Sequence, residues 1–184
     1  MKQARIKIFL VVCVIAIIGI FSVSSYAATA NEINASVNAS LDRFVKEVKG
    51  AQEFLNAAKG VLIIPKVIQG GLIVGAEYGE GALRIGGKTV GYYNIVSGSF
   101  GAQIGAQEKD IILVFMSNAV LKKFRTSENW QAGVDAKVTV ANVGVDDSLN
   151  TIKFKQPVVG FVFSQKGLMA AATIECSKFT KLRK

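Results

Sequence analysis

Histidine is absent from the 184 residues, which removes the commonest general base and the commonest zinc ligand together. Serine–histidine and cysteine–histidine nucleophile systems go with it. Cysteine is nearly absent: Cys13 lies in an N-terminal apolar run, and Cys176 is alone in the rest of the chain, so no intramolecular disulfide can form. A domain of this length must then be held by an ordinary apolar core, for which it is long enough. Carboxylate chemistry survives only through Glu77 with Glu80, or Asp146 with Asp147. Asp-Asp-Ser between two β-like runs is also ordinary turn composition. The expectation is a non-enzymatic protein with no catalytic residue, no cofactor and no metal.

What is present begins with a leader. Lys2, Arg5 and Lys7 precede the apolar run Ile8 to Phe21, and Ser25-Tyr26-Ala27 and Ala28-Thr29-Ala30 both offer small-x-small cleavage sites. The run is shorter than the ~20 residues of a spanning helix, and Cys13 is misplaced for lipidation. The pattern predicts a signal peptide over 1–27, with 30 as the other cleavage point, a short linker over 28–35, and one domain over 36–184 with a basic tail. It places the product in the periplasm or outside the cell, peripheral on a membrane. Without the three leader cations, 19 basic residues face 13 acidic ones, a net charge of +6. That balance suits anionic surfaces such as lipid headgroups. Export makes nucleic acid a poor partner.

Residues 36–59 read as one amphipathic helix. Val37, Leu41, Phe44, Val48, Ala51, Leu55 and Ala58 share a face, while Asp42–Lys46, Arg43–Glu47 and Lys49–Glu53 pair on the other. Gly50 weakens its middle and Gly60 offers a stop. The polar face is neutral, whereas a membrane-surface helix usually carries a cationic excess there. Packing against the domain's own sheet is therefore the better reading. Short β-like runs follow: 61–65 ending at Pro65, 70–83, 88–97, 99–106 and the continuously apolar 111–116. A short helix is expected within 117–127, then strands at 134–143, 151–155, 158–164 and 168–175, with a hairpin turn at Gln165-Lys166-Gly167. The sum is an α+β fold, an N-terminal amphipathic helix on a largely antiparallel, Gly-rich β-sheet or barrel with one short additional helix.

Residues 70–94 hold eight glycines in 25 positions. A phosphate loop would set them between a strand and a helix N-terminus, but no helix follows, and Gly86-Gly87-Lys88-Thr89 lacks the upstream glycine. The flanks alternate instead with period two, Leu72, Val74, Ala76 and Tyr78 against Gly71, Ile73, Gly75, Glu77 and Gly79. Glycine at every second position strips one strand face so that something can lie directly on it. Glu77 shares the stripped side, which makes a polar contact there the first thing to seek.

AKGVLIIPKV (58–67), GAEYGEGAL (75–83), GYYN (91–94), FGAQIGAQ (100–107), NWQAGVDA (129–136) and PVVGFVFSQKGLMAAATIECSKFTK (157–181) resemble the SYLF-domain family, from about residue 35 to 182. The likeness is greatest to its exported bacterial branch. It implies binding of anionic, phosphoinositide-like lipid through an N-terminal amphipathic helix, which here brings in Arg43, Lys46 and Lys49. The actin role of eukaryotic relatives does not carry over, since no partner module is present. Basic density points separately to Lys122, Lys123 and Arg125, and to a tail with Lys178, Lys181, Arg183 and Lys184. Near an anionic membrane each cation contributes ~1 kcal/mol. Trp130 reads as an interfacial anchor or, more commonly for a lone tryptophan, a buried plug. The leading expectation is an exported protein that binds anionic lipid or a membrane surface. The alternative is a structural or protein-interaction module of the cell envelope with a protein partner.

Overall fold

Thr29 opens the first helix. Its hydroxyl accepts from the Glu32 N–H, and the Glu32 carboxylate accepts from the Thr29 N–H at 2.7 Å, a reciprocal capping box. Helix α1, Ala30–Glu47, thus begins inside the stretch expected to be a linker. It buries Ile33, Val37, Ser40 and Phe44, spaced by three and four as one helix face requires. The single helix expected over 36–59 is two: Val48 leaves the helical region, and Gly50 at φ +80° redirects the chain into α2, Ala51–Ala57. The structure, a computed structural model, describes residues 28–71, 74–100, 107–142, 155–163, 174 and 176–184.

Eight strands form one sheet in the order β5-β8-β3-β2-β1-β4-β7-β6. They are β1 Gly60–Gly71, β2 Val74–Ile85, β3 Lys88–Phe100, β4 Gln107–Phe115, β5 Asn129–Gln131, β6 Val138–Asn142, β7 Val158–Phe163 and β8 Lys178–Leu182. Neighbours are antiparallel except β6 and β7, which run parallel. Helix α3, Asn118–Thr126, follows β4. Together these elements bear out the α+β expectation. The strand expected over 134–143 is shorter, Val138–Asn142, and the pairing of β5 with β8 had no counterpart in the sequence pattern. The parts of the expected strands over 101–106, 151–154 and 168–173 and the turn at 165–167 lie outside the described residues.

Pro65 does not end β1. The strand runs on through a bulge, with register shifts against both β2 and β4 between Ile63 and Ile68 and Lys66 at φ +51°. A bulge tolerates proline because the missing N–H lies outside the regular ladder.

The sheet separates two cores. On its outer face, Phe44 and Phe54 from α1 and α2 meet Phe161 edge-on, with centroids at 4.9 and 5.1 Å. On its inner face, Phe124 of α3 packs with Tyr93, Phe115, Trp130 and Phe179. Trp130 is buried, and its ring lies 6.3 Å from that of Phe115. β5 and β4 are separated by four strands in the sheet, so this contact requires the sheet to curl round α3.

Candidate functional site

The stripped glycine side of β2 faces inward. Gly75, Glu77, Gly79 and Gly81 are buried, while Ala76 and Tyr78 face out. What lies on the bare face is the neighbouring strand. A Cβ at Gly81 would sit 1.9 Å from the Ile63 carbonyl oxygen, and one at Gly79 would meet Ile64 and Val67 at 2.9 Å. The β1 bulge leans over β2, and only glycine leaves room for it.

Glu77 does have its polar contact. Its carboxylate accepts from Lys109 Nζ at 2.8 Å and from Ser97 Oγ at 3.0 Å. Both charged side chains are fully buried. Glu77 sits opposite Gln69 on β1 and Ser97 on β3, and Lys109 comes from β4 beyond β1. Burial lowers the Lys109 amine below its usual range, opposed by its hydrogen bond to Glu77 and the carboxylate's charge. An ion pair so enclosed ties β2 and β3 to β4 across β1; it presents no surface to a ligand.

The next residue along β4 points the other way. Asp110 accepts from the Lys66 N–H of the bulge at 2.9 Å and from Ser40 Oγ of α1 at 2.8 Å, and pairs with the Arg43 guanidinium. Arg43, expected to contact lipid, therefore has its charge engaged by a buried carboxylate.

The outer face is open beyond the N-terminus of α1. Ile68, Tyr78 and Val96 lie directly opposite one another on β1, β2 and β3, and are 56, 47 and 45 % exposed. Lys178 on β8 continues the row beside Val96, and Glu108 on β4 ends it beside Ile68. Gly70, Ala76 and Gly98 form a parallel row of small residues. Where α1 meets this face, Ala28, Ile33, Lys66, Ile68 and Tyr78 line a hollow of about 240 Å³. At its edge Lys184 Nζ donates to the Ala28 carbonyl at 2.6 Å and to Glu80 at 3.0 Å. Alternation in the sequence grouped Tyr78 with the apolar residues of β2. Its exposure depends on where α1 stops, which no local pattern records.

The other expected basic residues do not converge. Lys46 is exposed in the last turn of α1, and Lys49 is exposed in the turn between α1 and α2. Lys122, Lys123 and Arg125 are exposed on α3, across the sheet from α1, and Lys123 pairs with Asp135 at 3.1 Å. Lys178 and Lys181 are exposed on β8 with opposite parity. The apolar face of α1 is spent on the sheet. Among the described residues no group of three or more His, Cys, Asp or Glu could hold a metal, and no helix is long and apolar enough to cross a membrane.

These features define an α+β module with a charge-bolted interior and one exposed apolar sheet face. Residues 96–184, from the end of β3 through β8, match the family model described as Ysc84, Las17-binding protein actin regulator, in agreement with the resemblance to the SYLF-domain family. Comparison with curated proteins gives no significant match.

Proposed function

We propose that this is an exported, non-enzymatic attachment module that docks on anionic lipid surfaces. The observation that supports it is the exposed Ile68–Tyr78–Val96 row with Lys178 at its end and Lys66 beside the adjoining hollow. Apolar side chains rimmed by cations suit a headgroup boundary, where burial and charge attraction add. The contact is assigned to the sheet face because the apolar face of α1 is already covered. Glu80 next to the row is neutralised by Lys184; Glu108 keeps the attraction modest.

Co-sedimentation with phosphatidylglycerol and phosphatidylcholine vesicles tests the reading. Binding is expected to the anionic vesicles at low salt and to weaken as salt rises. Joint replacement Ile68→Ser/Val96→Ser should lower it at least about tenfold, since each side chain buried from water is worth ~1.5 kcal/mol or more. Failure to bind either vesicle at low salt overturns it.

A second reading, a protein-interaction module of the envelope, draws on the matched family's description as Las17-binding. The same apolar row would then meet a protein surface. Crosslinking in intact cells separates the two, because this reading requires defined protein adducts that persist without anionic lipid.

A further inference from the structure

A cleft of about 450 Å³ opens between α1, α2 and the β2–β3 hairpin, within the ~300–1,000 Å³ of small-molecule sites. Its walls are mainly apolar: Leu41 and Val45 from α1, Leu55 from α2, and Val61 and Ile63 from β1. Arg84, near the end of β2, is the one cation among the described lining residues. Its Nη2 donates to Asn38 Oδ1 at 2.6 Å, which holds the guanidinium between helix and hairpin. Its Nε is buried with no partner among the described residues. An N–H left so is costly, and a guanidinium edge is shaped for a carboxylate. Gln52 Nε2 donates to Asn56 Oδ1 at 2.9 Å, and Gln52, Asn56 and Asp42 are all exposed to water. Arg84 Nε is therefore the buried, unpaired donor among the described lining residues.

We propose that this cleft binds a single-chain anionic amphiphile, a long-chain fatty acid, with its carboxylate on Arg84 and its alkyl chain along Leu41, Val45 and Leu55. An apolar trough of this volume with one donor at its side takes one chain with one acceptor group. The site is separate from the Ile68–Tyr78–Val96 face, and neither depends on the other.

Calorimetric titration of the purified protein with saturated carboxylates from octanoate to palmitate, below their micellar concentrations, tests it. Affinity should rise about fourfold per methylene and level off once the cleft is full. The alcohol of equal length should bind about tenfold more weakly, for want of a charged acceptor. Arg84→Gln should bring the acid down to the alcohol, Arg84→Lys should keep part of the difference, and Leu41→Trp should block both ligands. Equal affinity for acid and alcohol in the unmodified protein, or a rise that never levels off, overturns the assignment; neither result depends on a variant folding. Vesicle binding should survive Arg84→Gln unchanged, so the cleft and the docking face fail independently.

Discussion

Lys109 and Glu77 are each buried with the other as counter-ion, so removing one strands the other. Lys109→Met or Glu77→Met alone is expected to cost about 3–5 kcal/mol, and the joint change Lys109→Met/Glu77→Met much less than the sum. Urea unfolding of the three variants checks this, and additive losses would show that the pair is not coupled. The sequence marked Glu77, since a carboxylate among alternating glycines has to meet something. It did not mark Lys109. Glu108-Lys109-Asp110 reads as a polar lead-in to an apolar strand, yet all three lie within β4 and two are buried. Their partners are 32 to 70 residues away in the chain, beyond any local periodicity.

At the scale of the element, α1 and β1–β2 carry the sharpest tests. Thr29→Ala should lower stability by about 1 kcal/mol through loss of the cap. The N–H and hydroxyl of Thr29 hold the Glu32 carboxyl below its ordinary value. A depressed folded value means that its contribution is complete above pH 4.5 and is lost as pH falls through the folded value. The gap in melting temperature between the protein and Glu32→Gln should therefore narrow below that pH; a constant gap would count against the capping box. Gly81→Ala should cost more than about 3 kcal/mol, above ordinary overpacking, because the added methyl meets β1 backbone and not a yielding side chain. The amphipathic pattern of α1 and the stripped face of β2 were both legible. The helix break at Gly50 was legible only as a weakness. The continuation of β1 past Pro65 was not, since a bulge depends on Asp110 reaching the Lys66 N–H.

For the whole molecule, the sheet order sets what can fold alone. The matched family segment, 96–184, supplies β5 and β8 at one end and β4, β7 and β6 at the other. The strands between them, β1, β2 and nearly all of β3, precede it in the chain. A fragment 96–184 is thus expected to show no cooperative thermal transition, whereas 28–184 should melt cooperatively by circular dichroism. The α+β architecture was readable from periodicity, but the order of strands was not, because pairing across the curl rests on contacts such as Trp130 with Phe115. At the junction with the early strands stands β4, where Lys109 and Asp110 are consecutive and send opposite charges to opposite faces. Were β4 to slide by one residue, the cation would turn toward Ser40 and Arg43, and the carboxylate would be driven into the interior beside Glu77. Two adjacent residues thus proofread the alignment of the central sheet, rejecting the misregistered form by like-charge repulsion on both sides at once.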